Sequence, residues 1–480
     1  MLRPLDRTRR DGPLYPGSSR TLRELLEPTH LLLQIEEAID LAALAGDLES
    51  FYDRGRGRPA IHPEVVLRAL LLAAFYQVPS YRQLCARISE NLAWRYFCHL
   101  TLDDPVFDHS TLSVFVERIG AEGVQSLLDR FTTSLAEAGL LSSRLYLDSS
   151  LLTAHVRTAV LSPRQEDAPL LTPEGEVFVA REQVPGSPPE PAQLRLLRYQ
   201  DAKGHLPLPT HDRDARWQTI RKRVVLGYKE HLVVDRSGFI LARRSTGADV
   251  TDVVGALPLL DVLPVPARSI TTDSGYRELV FRHVLRRRGI VSYIPLGRQQ
   301  ITGHPAGFVD HGDHFLCPKG KVLRPSGVPD AHGNARYATR KADCDPCPLR
   351  ATCLAPSQQS KILSGSIYRR EIPRAQAMMT TTRYATEQER RKTIVEGVFA
   401  RLDRLGGIRL RVRGLERVNS HNALAALAHT ILKALTKRRF WRRDGAVLPH
   451  PAPAPQVVEG PVRTRCLGGV SFLLSPLPHL

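Results

Sequence analysis

The N-terminal part of the chain has apolar residues at helical spacing. From Pro63 onward, EVVLRALLLAAFY repeats apolar residues three and four apart, and proline is favoured in the first turn of a helix. Ser80 heads a capping-box pattern, and Asp108 can cap a helix that runs through LSVFVERIG. A further helix is predicted through VQSLLDRFTTSLAEAG, ending near Gly139. We therefore predict an all-α N-terminal domain over residues 1–140.

Strand patterns follow this helical region. RLYLDSSLLTA alternates as a strand does, and YKEHLVVD and FILARRS, separated by a short turn at Gly238, predict a β-hairpin. SITTD and IVSYIP are short strands on either side of a helix through ELVFRHVLRRRG. Strands that alternate with helices indicate an α/β core, whose first part we assign to residues 141–297. Nine prolines in residues 161–212 predict a long loop within it.

The remaining sequence divides into three segments. Residues 298–365 are rich in Gly, Pro, His and Cys, and we expect them to form a small insert in the core. Helices are predicted over residues 380–405 and 421–435, within a C-terminal helical part of the core at residues 366–443. Residues 444–480, with HPAPAP, are predicted to form a poorly ordered tail.

The composition is that of a globular protein. The chain has 480 residues, of which 42% are hydrophobic and 24% are charged, and a domain typically contains about 100–200 residues. The longest apolar run, near residues 70–75, is far shorter than the ~20 residues that span a bilayer. No apolar stretch follows the basic N-terminus, so no secretory signal is visible. Seven cysteines imply no disulfide framework. We expect a cytoplasmic protein that does not enter a membrane.

The net charge points to a polyanionic partner. There are 67 Lys and Arg against 49 Asp and Glu, a net charge of +18. A GC-rich genome would explain the preference for Arg over Lys but not the sign of the charge. Residues 366–443 hold 19 basic and 6 acidic residues. Because basic side chains bind phosphates and release counterions, nucleic acid is the expected partner.

Three acids occur where a carboxylate requires compensation. Asp148 lies on a predicted strand, Asp273 ends another, and Glu396 lies on a predicted helix. If they converge, they could hold two divalent cations, Mg²⁺ or Mn²⁺, which prefer oxygen ligands. Such ions, ~3.5–4 Å apart, activate an attacking oxygen and stabilise a leaving one on phosphorus. Each acid also has a simpler explanation: a turn cap, an Asx-turn, and an exposed helix residue paired with Lys392.

The helix that carries Glu396 provides a geometric argument. At 100° per residue, Glu396 lies at the border of the apolar face, where it could point into a site, and Lys392 one turn earlier could contact a phosphate. The apolar face consists of Ile394, Val395, Val398, Phe399, Leu402 and Leu405.

Several ordered motifs resemble the DDE transposases of bacterial insertion sequences. GRPAIHPEVVLRALLLAAFYQVPSYRQL and FDHSTLSVF resemble the helical N-terminal domain of these enzymes. YLDSSLLTA resembles the strand of the first Asp, TTDSGY the strand of the second, and RKTIVEGVFARLDRLGG the Glu helix. The resemblance covers most of residues 55–435. It implies a ribonuclease-H-like catalytic core in which Asp148, Asp273 and Glu396 are the catalytic, metal-binding acids.

The Glu helix departs from the family pattern at two positions. Asp403 stands where the family often has a basic residue two turns after the Glu, although Arg401 and Arg404 flank it. Lys392 stands where an Arg is frequent. The three acids are unaffected, but the detailed DNA contacts cannot be carried over.

Four cysteines cluster within the insert and include a CxxC pair, which is typical of half a tetrahedral zinc site. They are Cys317, Cys344, Cys347 and Cys353. Zinc would help to order a segment poor in large apolar residues, and the resembled transposases often carry a similar insert. Four reduced thiols or a redox pair are alternatives, and His311 or His314 could replace a thiolate ligand.

Candidate DNA contacts follow the Glu helix. Arg409, Arg411 and Arg413 alternate, so in an extended segment they would share one face and could track a phosphate backbone. A solvent-exposed basic loop is the alternative. Arg391 and Lys392 are candidates for placing phosphates at the acidic site. The N-terminal helices could bind the element's ends or dimerise.

The predicted function is DNA cleavage and strand transfer at the ends of an insertion sequence. The predicted partner is double-stranded DNA, of element ends and target, and at least a dimer is expected because two ends must be paired. A nuclease of the same fold that never joins DNA, or a non-catalytic DNA-binding relic of an element, are the alternatives.

Overall fold

The computed structural model describes residues 2–52, 59–156, 212–220, 223–298, 307–330 and 333–441, and three two-residue strands between residues 160 and 178. Most of the predicted proline-rich loop and the whole of the predicted tail lie outside these residues. No helix among the described residues has the length and apolar character needed to cross a membrane.

The N-terminal region is helical, as its apolar spacing predicts. Its helices are α1 (Leu31–Ala38), α2 (Leu41–Gly46), α3 (Pro63–Phe75), α4 (Tyr81–Glu90), α5 (Leu92–Phe97) and α6 (His109–Glu137). Two of the predicted caps are formed: Ser80 accepts a hydrogen bond from the amide of Gln83 at 3.3 Å, and Asp108 accepts one from the amide of Ser110 at 2.8 Å.

Within α6 two helices meet at a kink, so both of the helices that the sequence predicts are present. Gly120 lies within it at φ 59° and ψ −171°, a backbone conformation that glycine adopts without a Cβ penalty. The helix therefore changes direction at Gly120 without a loop, and its second half continues to Glu137.

The core contains a mixed β-sheet. Strand β1 (Arg144–Thr153) lies between β6 (Arg223–Asp235), to which it is antiparallel, and β8 (Ser269–Thr271), to which it is parallel. Beyond β8 lies the parallel strand β9 (Val291–Tyr293). The hairpin partner of β6 is β7 (Ile240–Gly247), as the sequence predicts.

Shorter strands extend this sheet and form a small separate one. β2 (Val160–Leu161) and β5 (Arg216–Ile220) also pair with β6, and β3 (Leu170–Leu171) pairs with β4 (Val177–Phe178).

Helices cover the main sheet. They are α7 (Asp252–Ala256), α8 (Leu279–Arg287), α11 (Glu371–Met379), α12 (Thr382–Arg404) and α13 (Leu415–Trp441), and α9 and α10 belong to the insert described next. Buried side chains from the N-terminal helices, the sheet and α13 form a continuous apolar cluster that includes Leu70, Leu128, Leu232, Ile270 and Leu427. The N-terminal helices therefore share a core with the sheet.

The cysteine-bearing segment forms a second sheet. Its antiparallel strands are β10 (Val309–Asp310), β11 (Phe315–Leu316), β12 (Val322–Ser326), β13 (Asn334–Ala338) and β14 (Ile362–Ser366), and its short helices are α9 (Lys341–Cys344) and α10 (Arg350–Cys353). Phe315, Leu323 and Tyr337 are buried in a small core of its own.

Candidate active site

Parallel pairing of two strands brings the two predicted aspartates together. Tyr146 of β1 pairs with Thr271 of β8, and both chains run in the same direction from there. Asp148 and Asp273 each follow two residues later, so they reach the same end of the sheet. The Asp273 charge acts on Asp148 strongly enough to raise its pKa. The sequence alone could not supply this pairing, because strand order is not visible in a single sequence.

The Asp148 carboxyl group is mostly buried. Its Oδ1 accepts a hydrogen bond from the amide of Ser149 at 2.8 Å. Burial raises the pKa of Asp148 to about 6; Asp273 and Asp252 add to the rise, and the Arg391 guanidinium opposes it. Asp148 is therefore poised to gain or lose a proton near neutral pH.

Helix α12 packs across the ends of the strands through one face of its first half. The Tyr146 hydroxyl donates to Glu387 Oε2 at 2.8 Å, and Gln388 Nε2 donates to the carbonyl oxygens of Thr272 and Tyr293. These contacts fix the register of α12 against β1, β8 and β9.

Helix α12 also brings Arg391 into contact with Asp148. Arg391 Nη1 donates to Asp148 Oδ2 at 2.6 Å, and the Arg391 side chain is only 13% exposed. Its Nε is buried without a hydrogen-bond partner among the described atoms. Arg391, predicted as a DNA contact, is therefore part of the acidic site.

Glu396 lies further along α12 and is exposed, whereas its neighbours Val395 and Val398 are buried as the apolar stripe predicts. In the described segments, no group of three or more His, Cys, Asp or Glu side chains stands close enough to hold a metal ion. The structure thus brings Asp148 and Asp273 together without placing Glu396 beside them.

A third aspartate, which the sequence analysis missed, lies at this site. Asp252 begins α7, and its Oδ1 accepts a hydrogen bond from Ser149 Oγ at 2.7 Å and lies 3.1 Å from Lys229 Nζ. In the sequence, Asp252 follows Thr251, the residue that caps α7. An Asp in the first turn of a helix is common, so this pattern did not mark it as functional.

Gly275 explains how two of the carboxylates approach each other. A Cβ atom at Gly275 would lie 2.4 Å from Asp252 Oδ2 and 3.0 Å from Asp273 Oδ1. Both oxygens therefore lie against the same side of the Gly275 backbone. Asp273 Oδ1 also accepts a hydrogen bond from the amide of Gly275 at 2.8 Å.

Tyr276 is buried close enough to the three aspartates for their charges to act on it. The residue is only 1% exposed, and its hydroxyl has the Ser149 side chain as a hydrogen-bonding neighbour. Burial, followed by the charges of Asp252, Asp148 and Asp273, raises the pKa of Tyr276 well above its usual value. The hydroxyl is therefore a neutral donor beside three carboxylates.

Four cysteines of the insert line one cavity of about 30 Å³. They are Cys317, Cys344, Cys347 and Cys353, and all are free thiols. Cys344 Sγ lies 3.0 Å from Thr339 Oγ1, and Cys317 Sγ accepts a hydrogen bond from the amide of Lys321 at 3.3 Å. The cysteines thus face a common space, although they do not meet within metal-binding distance.

Exposed and buried residues alternate in the first part of the arginine row after α12. Leu410 is buried between Arg409, which is 77% exposed at its side chain, and Arg411, which is also exposed. Arg409 Nε lies 3.0 Å from an oxygen of Asp403. Arg413 Nε donates to the carbonyl oxygen of His155 at 2.9 Å. Lys392 on α12 is exposed.

Two parts of the chain match family models of transposases. Residues 20–118 match the family model "Transposase domain (DUF772)", and residues 316–435 match the model "Transposase DDE domain". The second match includes Glu396 and the four cysteines, whereas Asp148 and Asp273 lie outside both matched ranges.

One curated relative is described as the transposase of an insertion sequence. The chain is 38% identical over 92 residues to a Burkholderia cepacia protein described as "Putative transposase for insertion sequence element IS402". The alignment covers 17% of this chain and 42% of the relative, so the chain spans less than half of that relative's length. The two family models and this relative support the same assignment, an insertion-sequence DDE transposase.

Proposed function

We propose that the chain cleaves DNA at the ends of an insertion sequence and transfers the freed strand to target DNA, in a metal-dependent reaction. The observation that carries this proposal is the convergence of Asp148 and Asp273 at the ends of two adjacent parallel strands. The transposase domain matches and the net charge of +18 support DNA as the substrate.

The donor set at this site fits a divalent cation. Mg²⁺ and Mn²⁺ take carboxylate oxygens as ligands, and Asp148 and Asp273 present them side by side. We propose Glu396 as the third ligand from its sequence motif and from its position within the matched DDE domain. When bound, the ions would lower the pKa of an attacking water and stabilise the leaving oxygen on phosphorus. This arrangement is the basis for proposing a ribonuclease-H-like core.

The basic residues of α12 would orient the DNA. Arg391 donates to Asp148 through Nη1, and its Nε is buried without a hydrogen-bond partner among the described atoms. Arg391 could therefore exchange its contact with the carboxylate for a contact with a DNA phosphate. Lys392 is exposed on the same helix, and the row Arg409, Arg411 and Arg413 would follow the backbone on either side of the cleaved bond. These contacts position the phosphate but do not read sequence.

The insert is proposed to bind structural zinc. The supporting observation is that its four cysteines line one cavity. Thiolates bind zinc as soft ligands, and the small core around Phe315 is the only apolar cluster seen in the described part of the insert. Zinc would therefore contribute to the folding of the insert and not to the reaction.

We further propose that the chain acts as at least a dimer in the cytoplasm, because transposition pairs two ends of a DNA element. The experiment that tests the proposed function uses DNA that carries the element's ends, purified protein and Mg²⁺. Asp148→Asn and Asp273→Asn should each abolish cleavage while binding of the DNA ends persists. The matched control is Asp261→Asn, which changes an exposed aspartate paired with Arg288. Normal cleavage by Asp148→Asn would remove this residue from the mechanism.

A further inference from the structure

We propose that Arg401, Lys433 and Lys437 form a binding site for a phosphate of the DNA backbone, apart from the acidic site. The inference rests on the proposed function, because it takes DNA as the partner of the chain. It adds a contact at a part of the fold to which no contact with DNA has been assigned above.

Helix α13 lies against the turn of the β6–β7 hairpin. His429 Nε2 lies 2.8 Å from the carbonyl oxygen of Gly238 in this turn. Positions four apart on a helix share a face, so Lys433 and Lys437 continue the face of His429. A Cβ atom at Gly238 would lie 3.3 Å from Lys433 Nζ, and Lys437 Nζ donates to Ser237 Oγ at 2.5 Å. Both ammonium groups therefore lie at the hairpin turn.

Helix α12 brings a third basic side chain to the same turn. A Cβ atom at Gly238 would lie 3.9 Å from Cγ2 of Val398, and Arg401 follows Val398 by three positions on α12. Burial lowers the pKa of Lys433, and the charges of Arg401 and Lys437 lower it further. Three cations from two helices are thus close enough to act on one another.

These cations lack a matching acid. Arg401 and Lys433 are both partly buried, and neither has an ion-pair partner among the described residues. Asp235 is the acid whose charge acts on Lys433. It is fully buried, and its two oxygens accept hydrogen bonds from three backbone amides of the loop before β1 and of the hairpin turn. Like charges held together repel, so a bound anion would stabilise this arrangement.

A phosphate of DNA fits the site by chemistry and by position. Arginine binds phosphate through two parallel N–H groups, and lysine adds a compact charge. Arg401 follows Arg391 by ten residues, which is about 15 Å along α12. That length corresponds to about four base pairs at 3.4 Å per pair. A duplex held at the acidic site can therefore reach these cations with a phosphate a few base pairs away.

The test is the salt dependence of DNA binding by the full chain, measured in EDTA by fluorescence anisotropy of a short mixed-sequence duplex. Each neutralised phosphate contributes about 0.9 to the slope of log affinity against log salt. The double variant Lys433→Gln, Lys437→Gln should therefore lower the slope by about 2. The control Arg23→Gln, Arg288→Gln removes the same charge from two exposed ion pairs and should bind as the wild type.

The outcomes separate this inference from the proposed function. An unchanged slope in the double lysine variant overturns the inference, while the proposed function stands because the wild type still binds DNA. An equal decrease in both double variants shows an effect of net charge alone, and the inference is again wrong. If the wild type does not bind the duplex, the proposed function fails as well.

Thermal unfolding without DNA distinguishes a site for DNA from a site for free phosphate. Removal of crowded cations should leave the unfolding midpoint of the double lysine variant equal to or above that of the wild type. A lower midpoint would contradict the argument from crowding. If inorganic phosphate at fixed ionic strength raises the midpoint of the wild type but not of the variant, while their DNA slopes are equal, the site takes free phosphate and the assignment to DNA is wrong.

A further measurement needs no variant. The chain has only ten lysines, so acetylation of each one can be followed by mass spectrometry with and without the duplex. The duplex should protect Lys433 and Lys437, whereas Lys341, which is exposed in the insert, should be labelled equally in both samples. Labelling of Lys433 and Lys437 that the duplex does not reduce would overturn the inference even if the double variant does not fold.

Discussion

Arg391 and Asp148 are 243 positions apart in the chain and form a 2.6 Å ion pair that joins helix α12 to the first strand of the sheet. The pair links the segment that follows the cysteine-bearing insert to the strand that begins the core. It also places a cation on the acid that the proposed mechanism needs for metal binding. A metal ion and Arg391 would therefore compete for the same carboxylate.

Replacing Arg391 should destabilise the fold and raise the pKa of Asp148. Arg391→Met leaves a mostly buried carboxylate without its partner, and we expect the free energy of unfolding to fall by about 1–3 kcal/mol. The pKa of Asp148 should rise above about 6, because the guanidinium now holds it down. Urea unfolding measures the first effect. The control variant Arg417→Met removes an exposed pair with Glu117 and should cost no more than about 1 kcal/mol.

Metal binding should depend on pH. The pKa of Asp148 is about 6, mainly because the group is buried, and only the ionised carboxylate is a good ligand for Mg²⁺ or Mn²⁺. We expect Mn²⁺ affinity to be highest above pH 7 and to fall progressively as the pH drops below about 6. Titration by electron paramagnetic resonance at fixed ionic strength measures this dependence. Affinity that stays constant from pH 7 to pH 5 would show that Asp148 does not bind the metal.

Stability should fall in mild acid because of buried histidines. Burial lowers the pKa of His429 to about 4 from an ordinary value of 6.5. Between these values the unfolded chain binds more protons than the folded one, so stability is fully present above pH 6.5 and is lost as the pH falls toward 4. His429→Gln, which can still donate to the carbonyl oxygen of Gly238, should reduce this loss by about 1–3 kcal/mol.

The control for this pH effect is His155→Gln, which changes an exposed histidine. Denaturant unfolding at pH 7 and pH 4.5 compares the two variants. Equal pH dependence in His429→Gln and the wild type would contradict the assignment of the effect to His429.

A methyl group at Gly275 should disturb the carboxylates. In Gly275→Ala the new Cβ would lie 2.4 Å from Asp252 Oδ2, so the loop or the carboxylate must move. We expect a loss of about 1–3 kcal/mol in stability and weaker Mn²⁺ binding. Gly397→Ala provides the matched control, since Gly397 is an exposed position within α12 with no atom near the added Cβ. That variant should gain about 0.5–1 kcal/mol, and a similar gain in Gly275→Ala would refute the packing argument.

The sequence predicts the elements of this fold better than their arrangement. Apolar spacing locates α3 and α12, and alternation locates β1 and the β6–β7 hairpin, because these patterns are local. The sequence also predicts the two helices that meet at Gly120, but it does not predict that a kink at this glycine joins them directly. Only tertiary packing of both halves decides between a loop and a kink.

The sequence likewise predicts some residues of the candidate site but not the contacts between them. Asp148 and Asp273 stand out because an acid on a buried strand is unusual, and the transposase resemblance assigns both to the site. The sequence predicts Arg391 as a DNA contact, and it does not predict the pairing of Arg391 with Asp148, which depends on how α12 packs on the sheet. The sequence does not predict Asp252 as a site residue, because an acid in the first turn of a helix is common. Its proximity to Asp273 depends on the missing side chain of Gly275, which no periodic pattern records.

Strand transfer is the most direct test of the proposed function. The measurement incubates the wild-type chain with a labelled element end that has a free 3′-hydroxyl, a supercoiled target plasmid and either Mg²⁺ or EDTA, and separates the products on a gel. The account predicts labelled end joined to target DNA in Mg²⁺ and none in EDTA. Cleaved DNA without joined products would identify a nuclease, and intact DNA that is bound equally with and without Mg²⁺ would identify a non-catalytic DNA-binding protein; either result contradicts the proposed transposase.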